Sequence, residues 1–153
     1  GGGIAQIAAV AGFQTTVFDT AASALDKCKA THAKLLSRAV EKGRMEQADM
    51  DATQGRLSYA DSMDALAGAD IVIEAVVENA EVKKAIFADL DARFTGGEIL
   101  ATNTSSISIT EIAAATANPG RVIGMHFFYP VPVMKLVEVI FVFILDLTLY
   151  LYM

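Results

Sequence analysis

The chain has 153 residues, 54% of them hydrophobic and 20% charged; it is long enough for one domain with a buried core and too apolar for a disordered chain. Twelve Lys and Arg against eighteen Asp and Glu give a net charge of −6 with no basic block, which disfavours nucleic acid and anionic membrane surfaces as partners. One cysteine, Cys28, excludes a disulfide framework, and with only His32 and His126 beside it no metal centre is expected.

In chain order, Gly1 to Ala11 is a glycine cluster entering an apolar helix, with Ile4, Ile7, Ala8 and Ala11, and Gly12 ends it. Thr15-Thr16-Val17-Phe18-Asp19 is a strand ending in an acid. Residues 21–42 form an amphipathic helix with Leu25, Cys28, Leu35, Leu36, Ala39 and Val40 near one face, stopped by Gly43. A short helix over about 46–54 and a weak strand, Arg56 to Tyr59, come next. Asp70 to Val76 has the apolar character of a strand covered on both faces. Helix 80–93 carries Val82, Ile86, Phe87 and Leu90 at helical spacing, and Glu98 to Thr102 is the next strand. Ser108 or Thr110 caps a helix through Ala117, broken by Pro119-Gly120; strands Arg121 to Phe128 and Lys135 to Ile140 close the pattern. Strands alternating with helices predict an α/β fold of Rossmann type, a doubly wound and mostly parallel sheet.

A dinucleotide fingerprint places glycines between a strand and a helix, with an acid about 20 residues on. Here the glycines stand at residues 1–3, and a helix, Gly12, a strand and Asp19 succeed them in order. Taken alone, the three glycines equally suit a flexible stub; the helix, glycine, strand and acid in that order favour the fingerprint. The start of the helix would bring backbone N–H groups and a partial positive charge to a pyrophosphate. Asp19 would accept hydrogen bonds from a ribose hydroxyl and repel a 2′-phosphate, so NAD is expected over NADP.

Five blocks then occur in order: Asp70-Ile71-Val72-Ile73-Glu74-Ala75, Glu78-Asn79, Ala101-Thr102-Asn103-Thr104-Ser105-Ser106, Gly124-Met125-His126-Phe127-Phe128, and Pro130 to Ile140. They resemble the NAD-binding domain of 3-hydroxyacyl-CoA dehydrogenases over residues 1–140. The layout is most similar to the single-function bacterial 3-hydroxybutyryl-CoA dehydrogenases. The resemblance implies NAD as cofactor, an acyl-CoA substrate, and oxidation of (S)-3-hydroxyacyl-CoA to the 3-ketoacyl-CoA. It makes Gly1 the third glycine of the fingerprint and Gly3 the one before Ile4, so that the sheet lacks its first strand. It also implies a helical C-terminal domain, absent here, that makes a homodimer. Residues 1–140 are read as the incomplete NAD-binding domain.

Oxidising a secondary alcohol requires a base for the hydroxyl proton, and histidine is the usual choice. A carboxylate on the other ring nitrogen holds the tautomer and stabilises the imidazolium. Glu138 lies 12 residues after His126; if strands 121–128 and 135–140 pair antiparallel about a turn near Pro132, the two stand side by side. Their hydrogen bond would contribute roughly 1.5–3 kcal/mol. In the family, the matching residues are the catalytic histidine and its glutamate. The same resemblance gives Ser105 the substrate hydroxyl and cofactor, puts Asn103 beside the nicotinamide, and matches Glu78 and Lys83 to cofactor-contacting positions. Without it, Asn103 to Ser106 is a helix-capping turn, and Glu78 and Lys83 a surface pair. Cys28 and His32 read as structural or surface residues.

The chain departs from the family at two places. Position 129 is Tyr where the family usually has Asn, so that one amide contact to cofactor and substrate is lost. From Val139 to Met153, 13 of 15 residues are apolar, and the resemblance stops after Ile140; residues 141–153 are expected to lie outside the native fold. Both ends read as truncated, and the fragment is expected to be inactive by itself. The single thiol and the lack of a signal peptide suggest a reducing cytoplasm. The competing readings are a non-catalytic NAD-binding or structural relative and, from the tail, a membrane-associated protein.

Overall fold

The structure, a computed structural model, describes residues 1–134 and 136–142. It is an α/β fold with mostly parallel strands. The elements are α1 (Gly2–Val10), β1 (Thr15–Phe18), α2 (Ala22–Glu41), α3 (Gln47–Gly55), β2 (Leu57–Ala60), β3 (Ile71–Glu74), α4 (Ala80–Arg93), β4 (Ile99–Thr102), α5 (Ile109–Ala113), β5 (Val122–Phe127) and β6 (Val137–Phe141). Short 3-10 turns stand at Met63–Leu66 and Pro119–Arg121. Among the described residues no helix is long and apolar enough to cross a membrane.

Contacts divide the described residues into two units: Gly1–Ala69 with those of Phe127–Leu136, and Asp70–His126 with residues 137–142. In the first, β1 and β2 pair in parallel, from Thr15 opposite Leu57 to Phe18 opposite Ala60. Helix α1 ends as its sequence requires. Gly12 takes φ +102°, and the N–H groups of Gly12 and Phe13 close back on the carbonyls of Ala9 and Ala8. Gly43, at φ +63°, does the same after α2, with Arg44 N–H returning to Ala39 O. The buried stripe of α2 is Leu25, His32 and Leu36, whereas Leu35 is exposed. Positions 7 and 11 residues beyond Leu25 return to its face within about 20°, while position 35 lies about 80° off it. The expected apolar face therefore included the wrong leucine and omitted a histidine.

In the second unit, β3, β4 and β5 run parallel, with Glu74 opposite Thr102 and Thr102 opposite Gly124. β6 lies beside β5 at the edge. A Cβ at Gly124 would approach Ile140 Cβ to 3.2 Å, and His126 meets Glu138. Numbers rising on one strand and falling on the other mean that β5 and β6 are antiparallel. α4 starts at Asn79, whose Oδ1 accepts from Val82 N–H at 3.0 Å. Its buried side chains are Lys83, Phe87, Leu90 and Asp91, and Val82 is exposed. With Phe94, Leu100, Ile112 and Val122 these apolar groups form the core, each full burial contributing roughly 1.5–3 kcal/mol.

Several elements are shorter than the sequence suggests, and at β3 and α5 a side chain captures the backbone. β3 leaves the ladder after Glu74, where Val76 N–H donates to Glu74 Oε1 at 2.7 Å. α5, capped by Ser108, stops at Ala113 rather than Ala117, whose N–H donates to Asp91 Oδ2 at 2.7 Å. Arg121 Nη2 donates to Asp91 Oδ1 at 2.7 Å from the far side, and its strand starts one residue later. Phe141 ends β6, and residues 143–153, most of the expected tail, lie outside the described residues.

Candidate functional site

In an open parallel sheet, ligands bind at the carboxyl edge of the strands. In the second unit the register aligns the ends of β3 and β4 at Glu74 and Thr102, opposite Gly124. The segments beyond that edge hold Glu78, Asn103 to Ser106 and His126. Glu74 ties the edge together from beneath. Its Oε1 accepts from Lys83 Nζ and Val76 N–H, both at 2.7 Å, and its Oε2 from Thr102 Oγ1 at 2.7 Å. Thr104 N–H donates to Thr102 Oγ1, and Asn103 N–H to Glu74 O.

Glu78 holds the loop above. Its Oε1 accepts from the Thr104 hydroxyl, from Ser105 N–H at 3.0 Å, and from the N–H and hydroxyl of Ser106 at 3.1 Å each. Lys83 Nζ lies 3.4 Å from its Oε2. Partial burial pushes this carboxyl up, but the hydrogen bonds from Thr104, Ser106 and Ser105 outweigh that and lower it to about 2. A carboxyl depressed in the folded state stabilises it above the unfolded value near 4.5 and loses that contribution as pH falls to about 2. The urea midpoint of the wild type is therefore expected to exceed that of Glu78→Gln at neutral pH. The gap closes between those two values. A constant gap would separate the glutamate's effect from its charge.

Lys83 is not at the surface: its side chain is 1% exposed. Its ammonium bridges Glu74 below and Glu78 above. Ser105 is exposed and Asn103 half-buried. The structure thus brings Glu78, Lys83 and Ser105 into one network and attaches Asn103 through its backbone.

His126, near the end of β5, has its Nδ1 3.0 Å from Glu138 Oε2 on β6. The antiparallel return produces this contact from a spacing of 12. Glu138 is 55% exposed. Its hydrogen bond is therefore worth about 0.2–1 kcal/mol, the range for exposed pairs, rather than the 1.5–3 expected of a buried one. The pair is better suited to orienting an imidazole than to stabilising the fold.

In the first unit, Gly2 and Gly3 form the first turn of α1, with Gly1 as its N-cap. Gly1 O accepts from Ala5 N–H at 3.1 Å, and no side chain caps the start of the helix. A Cβ at Gly3 would come within 3.1 Å of Val131 Cβ, so this residue is closely packed within the helix and not part of a free stub. Asp19 follows β1, exposed, with Oδ1 accepting from Ala21 N–H at 2.9 Å. A helix start with no side-chain cap and an oriented carboxylate at the strand end fit a dinucleotide's pyrophosphate and ribose. Tyr129 is 89% exposed. Among the described residues no cluster of three His, Cys, Asp or Glu is placed to hold a metal.

Sequence reasoning missed Glu74, Thr102 and Thr104 as parts of this edge. Glu74 did carry a signal, an acid inside an apolar strand, which is costly to bury without a partner.

A family model described as "3-hydroxyacyl-CoA dehydrogenase, NAD binding domain" matches residues 1–142. The 3-hydroxyadipyl-CoA dehydrogenase of Escherichia coli K12 is 50% identical over 141 residues, covering 92% of this chain and 30% of that protein. A probable 3-hydroxybutyryl-CoA dehydrogenase of Bacillus subtilis is 47% identical over 140 residues, covering 92% and 49%. The crystal structure of (S)-3-hydroxybutyryl-CoA dehydrogenase from Ralstonia eutropha superposes with a TM-score of 0.87 at 45% identity, over 91% of this chain and 49% of that one. The chain thus spans about half the length, or less, of these relatives.

Proposed function

The chain belongs to the family of the NAD-binding domain of 3-hydroxyacyl-CoA dehydrogenases, and from that premise we propose that its protein oxidises (S)-3-hydroxyacyl-CoA to 3-ketoacyl-CoA. The observation that carries the reading is the His126–Glu138 contact, 3.0 Å long, in a unit whose sheet edge also carries Ser105. NAD, when bound, supplies the acceptor for the hydride of carbon 3. The Ser105 hydroxyl holds the substrate oxygen. His126 takes the hydroxyl proton, and because Nδ1 faces Glu138 the transfer is assigned to Nε2. Glu138 keeps the hydrogen on Nδ1 and stabilises the imidazolium that forms. Glu78 and Lys83 shape the loop that carries Ser105 and Asn103, and Gly1, Gly3 and Asp19 receive the dinucleotide. The reading places the protein in the cytoplasm, as a homodimer formed through a further helical domain of the kind the longer relatives leave room for.

The test is formation of reduced cofactor from (S)-3-hydroxybutyryl-CoA by the full-length protein. A full-length protein that binds NAD but turns over no 3-hydroxyacyl-CoA would refute the proposal and favour a non-catalytic relative. Cofactor choice is tested separately. We expect NAD to bind at least about tenfold more tightly than NADP, a difference of about 1.4 kcal/mol, because the Asp19 carboxylate repels a 2′-phosphate. Asp19→Ala should remove most of that preference in calorimetric titrations. An unchanged ratio would take the role from Asp19.

A further inference from the structure

His32 has no part in that chemistry, although its imidazole is 2% exposed and bonded at both nitrogens. Nε2 lies 2.7 Å from the carbonyl of Gly2, and Nδ1 lies 2.7 Å from the hydroxyl of Tyr59. A carbonyl can only accept, so Nε2 carries the hydrogen. Nδ1 of the neutral ring is then an acceptor and takes the Tyr59 hydroxyl proton in a hydrogen bond. Tyr59 stands on β2 opposite Val17 of β1. A continuous path therefore runs from the β1–β2 pair through Tyr59 and His32 to the first turn of α1.

That turn is in close contact with α2. A Cβ on Gly2 would sit 3.0 Å from Cys28 Sγ and 3.5 Å from His32 Nε2. A side chain at position 2 would crowd the Cys28–His32 side of α2, which lies directly against this turn. Any displacement of that face would shift Gly2 O and, with it, the N–H groups of the same turn.

We propose that His32 is a positioning residue for dinucleotide binding: through Gly2 O and Tyr59 it holds the first turn of α1 in place for the pyrophosphate. This rests on the reading that α1 receives NAD. Its consequence is selective. Loss of the hydrogen bond to Gly2 O should weaken ligands that carry phosphates and spare those held by Asp19 alone.

The experiment titrates NAD and, separately, adenosine into the full-length protein as wild type, His32→Leu, His32→Gln and Tyr59→Phe by calorimetry. His32→Leu should raise the Kd for NAD about tenfold, the scale of one lost hydrogen bond to a positioned group. Its Kd for adenosine should change less than about twofold. His32→Gln, whose amide N–H reaches the place of Nε2–H, should recover part of the loss. Tyr59→Phe removes only the hydroxyl that fixes the ring and should give an intermediate loss, which keeps the proposal testable if His32→Leu does not fold. NAD affinity unchanged in both His32→Leu and Tyr59→Phe would overturn the role of His32 alone. Losses equal for NAD and adenosine would also overturn it, since they would mark a general structural effect. A wild type that binds no NAD would overturn the functional reading, and this assignment with it.

Discussion

In the full-length enzyme, replacing His126 with alanine is expected to lower kcat for oxidation of a 3-hydroxyacyl-CoA by about 10²-fold or more, the scale of general-base catalysis. The loss is one of chemistry and not of fold. His126 is only partly buried, and β5 is anchored in the core by the fully buried Val122. The base acts in the transition state, so KM for the acyl-CoA should move little while kcat and kcat/KM fall together. Glu138→Gln should lose less. The amide can still accept from Nδ1–H, but it supplies no charge to the imidazolium. Steady-state rates with both variants check the ordering. A near-normal kcat in His126→Ala would end the catalytic assignment.

Lys83→Met is expected to destabilise the protein by about 3–5 kcal/mol, the effect of leaving one member of a buried ion pair uncompensated. The Glu74 carboxylate would keep Val76 N–H and the Thr102 hydroxyl but lose its cationic partner at 2.7 Å. Domains of this size have about 5–15 kcal/mol in total, so the urea midpoint should fall steeply. The chain has no tryptophan, and far-ultraviolet circular dichroism is the suitable probe. The double variant Lys83→Met with Glu74→Gln should recover much of the loss, because a neutral amide needs no buried counter-charge. A single-variant effect below about 1 kcal/mol would show that water reaches the pair and that Lys83 is not the hinge of this edge.

Much of the element order was legible in the residues themselves. Gly12 and Gly43 take positive φ, Ser108 caps α5, and the strands of Thr15–Phe18 and Ile99–Thr102 stand where the apolar runs put them. These are local matters: backbone freedom, capping hydrogen bonds and side-chain period act within a few residues, and a sequence displays them directly. The 12-residue spacing of His126 and Glu138 was also informative, because strand period and a turn convert spacing into adjacency. What the sequence could not display is which polar side chains the fold would bury. Lys83 and His32 fall on the core-facing stripes of their helices, whereas Val82 and Leu35 face outward. The phase of a helix about its axis is chosen by the strands it packs on, and those lie far away in sequence. A buried lysine is tolerable only because Glu74 and Glu78 converge on it from β3 and the loop beyond, and a buried histidine because Gly2 and Tyr59 meet it from two other elements. Local sequence thus determined the elements and the spacing of the candidate site residues. Tertiary packing decided which charges and hydrogen bonds hold that edge in place, since the large cost of burying a polar group is offset only by partners that distant segments supply.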